Sequence, residues 1–166
     1  MSCITWNCRG LGNHRAVQEL VDLVQAKAPL LVFLAETWAD EARLNYVKDH
    51  IRFDQKFFVE RINKGGGLTL FWRDRIEVEV ETSSLNHINA IINKNSDKPW
   101  RFTGFYGEPE TQRRFESWDL LRHLHHQSSL PWLCAGDFNE ITKQTKKAGG
   151  RLRPSNQMQQ FRETLD

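Results

Sequence analysis

With 166 residues, of which 39% are hydrophobic and 27% charged, the chain has the size and composition of one ordinary folded domain. Those values exclude a disordered, collagen-like or coiled-coil chain, and six Trp and ten Phe favour a packed core. The near-neutral net charge of +2 leaves any affinity for nucleic acid to the local placement of basic residues.

Ser2 to Trp6 reads as an opening strand, followed by a loop from Asn7 to Asn13. From Arg15 to Lys27, Val17, Leu20, Val21 and Val24 recur at the spacing of one helical face, and Pro29 ends that helix. The apolar run Ala28 to Ala35 is too short to cross a bilayer and suits a buried strand over Leu30 to Leu34. A second helix is expected over Ala39 to Ile51, with Leu44, Val47 and Ile51 on one side. Strands follow at Phe57 to Glu60, Leu68 to Trp72 and Ile76 to Thr82. The last alternates Ile76, Val78 and Val80 with glutamates, the period of a half-exposed strand. Arg73 to Arg75 is short enough for a hairpin turn between the last two of these strands.

Further strands are expected at Ile88 to Ile92 and Trp100 to Tyr106. A helix over Arg113 to His126 carries Phe115, Trp118, Leu121 and Leu124 as its apolar stripe. Pro131 to Ala135 returns to strand, Gly136 to Glu140 forms a loop, and a polar basic stretch runs to Arg153. Ser155 is expected to cap a last helix bearing Met158, Phe161 and Leu165. The pattern is α/β, with mostly antiparallel strands and no repeat or linker, and is read as one domain over residues 1–166. Cys3, Cys8 and Cys134 lack any CxxC spacing and read as reduced thiols of an intracellular protein. The start of the chain has no signal-peptide pattern.

Polar residues stand where apolar strands end: Asn7, Glu36, Tyr106, and Asp137 with Asn139. Such positions converge on one rim of a sheet in many α/β folds, and an Asn with carboxylates suits a hard cation such as Mg²⁺. Taken singly, each is better read as making a turn, capping an element or satisfying a buried backbone group. Lys143, Lys146, Lys147, Arg151 and Arg153 crowd just beyond this last loop. They read either as contacts to DNA phosphates or as a solvated charged loop. Lys64 to Gly67 lacks the GK[ST] ending of a phosphate-cradling loop and reads as a flexible approach to a strand. His123, His125 and His126 lack the HxxxH spacing of a metal pair.

Together, the runs Trp6-Asn7-Cys8-Arg9-Gly10, Ala35-Glu36-Thr37, Gly104-Phe105-Tyr106-Gly107 and Gly136-Asp137-Phe138-Asn139 resemble the motifs of the endonuclease/exonuclease/phosphatase superfamily. The flanks are similar to the endonuclease domain of plant LINE-type (non-LTR) retrotransposons. They comprise Ser2 to Asn13, Gly65 to Leu68, Trp100 to Gly107, Ser117 to Leu124, Leu130 to Cys134 and Gly149 to Arg151. The resemblance implies a two-sheet α/β sandwich of the DNase-I-like kind with outer helices. It also implies Mg²⁺-dependent cleavage of a DNA phosphodiester, with Mn²⁺ as an alternative ion. Glu36, helped by Asn7, would hold the metal, Asp137 would activate water, and Asn139 would donate to the phosphate with Tyr106 acting close by. His87, in a segment similar to the retrotransposon group, is either a substrate contact or a hydrogen-bonded structural residue.

The implied product is nicked DNA with a 3′-hydroxyl that a reverse transcriptase of the same element uses as primer, which places the work on nuclear DNA. Members of the superfamily end with a Ser-Asp-His motif, whereas this sequence stops at Asp166 and its last histidine is His126. The resemblance therefore implies a domain lacking its C-terminal strands and a chain of weak or no activity. The alternative function is a non-catalytic nucleic-acid-binding or inert remnant.

Overall fold

The computed structural model describes residues 1–62 and 66–166. It divides into two compact units, Met1–Tyr106 with Leu130–Asp137, and Gly107–Ser129 with Phe138–Asp166.

The first unit is a two-sheet α/β sandwich. One sheet has the order β1-β2-β4-β3, from Cys3–Asn7, Leu31–Ala35, Leu68–Trp72 and Gln55–Val59. The other has the order β5-β6-β7-β8, from Val78–Ser84, His87–Ile92, Trp100–Tyr106 and Trp132–Asp137. Pairing is antiparallel except for β1 with β2 and β7 with β8.

Every residue of β2 is buried, because the strand has hydrophobic cover on both faces. Leu31, Phe33 and Ala35 point between the sheets, where they meet Leu68 and Leu70 of β4, Ile88, Ala90 and Ile92 of β6, and Phe102 of β7. Val32 and Leu34 point the other way, into a cluster with Val17, Leu20 and Val24 of helix α1 (His14–Lys27) and Leu44 and Val47 of helix α2 (Glu41–His50). Full burial of each such side chain contributes about 1.5–3 kcal/mol. The sheets come very close at Gly104, where an added Cβ would lie 2.1 Å from Cδ2 of Phe33.

Both helices have side-chain caps. Asn13 accepts from the Ala16 N–H at 2.7 Å, and Asp40 accepts from the Arg43 N–H at 2.8 Å. The second cap starts α2 at Glu41, two residues beyond the expected Ala39. Helix α1 ends at left-handed Ala28, with Pro29 next.

Three expectations fail. Arg73 to Arg75 makes no hairpin turn: β4 pairs with β2 and β3, β5 pairs with β6, and the turn passes the chain from one sheet to the other. In helix α3 (Arg114–His126) the buried face is Arg114, Ser117, Trp118, Leu121 and Leu124, leaving Phe115 55% exposed. Arg114 takes an inward position because its guanidinium has a buried carboxylate partner, Glu140. Ser155 is the first residue of helix α4 (Ser155–Leu165) rather than its cap, a position held by Pro154 with no side-chain bond. That helix buries Met158 and Phe161 and leaves Leu165 exposed, and the Phe161 ring lies 5.9 Å from that of Phe138.

Of the proposed flexible approach to β4, Lys64 and Gly65 lie outside the described residues. Gly66 and Gly67 have φ of +77° and +92°, which glycine adopts without steric cost. No described helix is long and apolar enough to cross a membrane, and the three cysteines are unpaired.

Candidate active site

The parallel pairs β1–β2 and β7–β8 each bring two strand C-termini side by side, one pair in each sheet. The register sets Asn7 opposite Ala35 and Tyr106 opposite Asp137. Two hydrogen bonds join these ends across the sandwich. Asn7 Nδ2 donates to Asp137 Oδ2 at 2.9 Å, and the Tyr106 hydroxyl donates to Glu36 Oε1 at 2.6 Å. Each links a strand end of one sheet, or the residue just past it, to a strand end of the other, and all four side chains are partly buried.

The loops holding this rim are bonded on both sides. Beyond β2, the Cys8 and Gly10 N–H groups donate to Ala35 O and Glu36 O at 3.1 and 2.7 Å, and Leu11 N–H donates to Thr37 O at 2.9 Å. From the other side Thr37 and Trp38 donate to Gly67 O and Gly66 O at 3.2 and 3.1 Å. This double anchoring holds Glu36 and Trp38 in the left-handed region, at φ of 52° and 48°. That conformation costs a non-glycine residue about 1–2 kcal/mol and persists where surrounding structure over-determines it. Across the rim, Asn86 fixes Tyr106: its Nδ2 donates to Tyr106 O at 2.8 Å, and its O accepts from Tyr106 N–H at 2.7 Å.

The oxygens here fit a hard cation. The Asn7 amide is oriented by its bond to Asp137, which leaves Asn7 Oδ1 buried and without a hydrogen-bond partner. A buried acceptor in that condition is costly unless something electropositive reaches it. The Glu36 carboxylate supplies a charged oxygen donor. Among the described residues no group of three or more His, Cys, Asp or Glu could hold a metal. One carboxylate plus an amide oxygen is a sparse donor set, suited to an ion such as Mg²⁺ that keeps water and substrate phosphate in its shell. A cavity of about 310 Å³ lies elsewhere, lined by Val21, Val24, Gln25, Ala28, His50, Ile51, Arg52 and Arg73. It contains no carboxylate, whereas the strand-end cluster gathers Glu36 and Asp137 beside an amide and a phenol hydroxyl.

The structure thus brings Asn7, Glu36, Tyr106 and Asp137 together. Asn139 belongs to the second unit, where it is left-handed at φ 52° and its Nδ2 donates to Gly107 O at 2.6 Å. His87 is buried on β6, with Ser84 Oγ 2.7 Å from its Nδ1 and Thr82 Oγ1 3.0 Å from its Nε2. Those contacts suit the structural reading of that histidine.

The basic residues divide. Lys143, Lys146 and Arg151 are exposed, whereas Lys147 Nζ donates to Arg151 O and Arg153 Nε lies 3.0 Å from Glu140 Oε1. Glu140, whose side chain is fully buried, also pairs with Arg114 Nη1 at 3.1 Å. Sequence reasoning passed over Glu140 and also Trp38, whose ring packs on Gly10 so closely that a Cβ there would meet its Cε3 at 2.7 Å. The available signal for Trp38 was a large aromatic residue directly after the Glu36-Thr37 strand end.

The sequence model of the Endonuclease/Exonuclease/phosphatase family matches residues 4–162. No curated protein matches the chain. Among solved structures, TDP2 of D. rerio complexed with a single-strand DNA product is similar at 18% identity and a TM-score of 0.60, over 83% of this chain and 60% of that one. The mannosyl-6-phosphatase of Bacteroides thetaiotaomicron is 16% identical with a TM-score of 0.60, over 86% and 66%. The 3′ phosphatase NExo from Neisseria, bound to a product DNA hairpin, is 14% identical with a TM-score of 0.67, over 98% and 69%. At such identities the likeness is one of fold. The chain spans slightly less than two thirds of the TDP2 and mannosyl-6-phosphatase chains.

Proposed function

The chain belongs to the Endonuclease/Exonuclease/phosphatase family, and on that footing we propose that it is a metal-dependent phosphodiesterase that nicks DNA. The observation that carries this reading is the pair of hydrogen bonds clasping Asn7 to Asp137 and Glu36 to Tyr106 at one end of the sandwich. They set an oriented carboxylate beside a metal-suited amide oxygen, and a second carboxylate beside a hydroxyl donor.

In this reading Glu36 and Asn7 Oδ1 would hold Mg²⁺, or Mn²⁺ in its place. When bound, the ion neutralises charge on the scissile phosphate. Asp137, held by Asn7, orients the attacking water and takes its proton as the water oxygen bonds to phosphorus. Tyr106 positions Glu36, and Asn139 donates to the phosphate oxygen as charge develops there. The bond from phosphorus to the 3′ oxygen breaks and that oxygen takes a proton from solvent, leaving a 5′-phosphate and a 3′-hydroxyl.

DNA as substrate is supported by the folds of TDP2 and NExo, both seen with DNA products. The closer reading is the endonuclease of a plant LINE-type retrotransposon, whose reverse transcriptase extends the nicked 3′ end. It is supported by the runs Ser2 to Asn13, Trp100 to Gly107 and Ser117 to Leu124.

A supercoiled-plasmid nicking assay with Mg²⁺ tests the proposal. Asp137→Ala and Glu36→Ala should each lower the rate at least about 100-fold, the usual contribution of a positioned proton acceptor or metal ligand. No nicking from wild-type chain that is folded by circular dichroism would sink the enzyme reading and leave a binding or inert remnant. Faster turnover of a small phosphodiester than of DNA would move the substrate away from nucleic acid.

A further inference from the structure

Two residues beyond Glu36, Trp38 is 42% exposed. An exposed aromatic residue by itself is ordinary. This one is held in place at a cost, because its backbone is left-handed at φ 48°, a conformation unfavourable for a bulky side chain. Three contacts over-determine it. Its N–H donates to Gly66 O at 3.1 Å, its O accepts from Arg61 Nη1 at 3.1 Å, and its ring rests on Gly10. Gly10, at φ +102°, has neither room for a Cβ nor a backbone that another residue readily adopts. The result is a fixed, solvent-exposed indole surface two residues beyond Glu36.

Cations flank it. Arg61, exposed, is tied to the Trp38 carbonyl through one nitrogen, and Arg9, exposed and left-handed at φ 47°, precedes the Gly10 on which the ring lies. A rigid aromatic face with arginines on adjoining backbone suits a base that stacks while neighbouring phosphates meet positive charge. A preset ring loses little conformational freedom on binding, so the stacking energy appears as affinity.

Building on the nuclease reading, we propose that Trp38 is a stacking platform for an unstacked nucleobase adjacent to the scissile phosphate, with Arg9 and Arg61 meeting the flanking backbone. The site thereby selects a polynucleotide with an accessible base over a small phosphate ester.

The test is binding of a fluorescein-labelled single-stranded oligonucleotide by anisotropy, in EDTA so that no cleavage occurs, with an abasic site moved along the strand. An abasic site keeps sugar and phosphate and removes only the base. At one position, loss of the base should weaken wild-type binding about 5- to 150-fold, the span of a base–aromatic stack. Trp38→Ala should weaken binding of the intact strand by a similar factor and abolish that positional penalty, while Trp38→Phe should retain most of both. An equal abasic penalty in wild type and Trp38→Ala, or no penalty at any position in wild type, overturns the stacking platform and leaves the nicking experiment to judge the nuclease. Failure of wild-type chain to bind the oligonucleotide at all likewise overturns the stacking platform, and the nuclease reading is then decided by plasmid nicking alone.

Discussion

Tyr106 separates geometry from chemistry at the scale of one residue. Its backbone is fixed by Asn86 and its strand pairing, so Tyr106→Phe leaves β7 in place and removes only the hydroxyl bonded to Glu36 at 2.6 Å. A short bond to a carboxylate both orients it and shares its charge. Under the proposed mechanism, Tyr106→Phe should lower the nicking rate about 100-fold, the scale of losing one preorganised donor. The far-ultraviolet circular dichroism spectrum should not change. A wild-type rate in this variant would remove Tyr106 from the reaction. Glycines act at the same scale by leaving room: Gly104 admits Phe33 between the sheets, and Gly10 admits the ring of Trp38.

Among elements, the segment after β8 joins two kinds of basic residue that look alike in sequence. Glu140 gathers Arg114 and Arg153 in a buried ion cluster, while Lys143, Lys146 and Arg151 face solvent. The two groups should respond differently to substitution. Under the proposed reading as a DNA-binding protein, removing Lys143, Lys146 and Arg151 together should lower the slope of log K against log salt for single-stranded DNA by about 2, at roughly 0.7 per phosphate contact. Stability should hold. Glu140→Ala should instead cost about 3–5 kcal/mol in urea unfolding, because it strands a buried guanidinium. An unchanged salt slope would return the three exposed residues to a merely solvated loop.

For the whole molecule, alkaline stability is coupled to two thiols. Burial pushes Cys8 and Cys134 up from 9.0 to about 12. The unfolded chain therefore loses these protons first, and the folded state binds more protons between those values. Their contribution to stability is fully present below pH 9 and declines as pH rises toward about 12. Urea midpoints at pH 8 and pH 10.5 should differ more in wild type than in a Cys8→Ala, Cys134→Ala variant. Equal differences in the two proteins would remove these thiols from the alkaline response. The same protonation should make native Cys8 and Cys134 slow toward thiol reagents at neutral pH, since the thiolate is the reactive form.

Much of this protein is written locally. Strand and helix periods and the stop at Pro29 follow from neighbours a few residues apart, while the order of the strand-end motifs along the chain carries the family. Period-two alternation assigns a side chain to a face but not a strand to a partner. The short turn at Arg73 to Arg75 was therefore legible as a turn and not as a passage between sheets. Burial of Arg114 in place of Phe115 depended on Glu140, twenty-six residues away, and on a charge that only folding brings inside. The candidate site is divided in the same way. Its residues could be named from sequence, but the bonds that pair Asn7 with Asp137 and Glu36 with Tyr106 span 130 and 70 residues. Such contacts exist only once two sheets pack face to face, because hydrophobic burial fixes the separation at which those polar tips can meet.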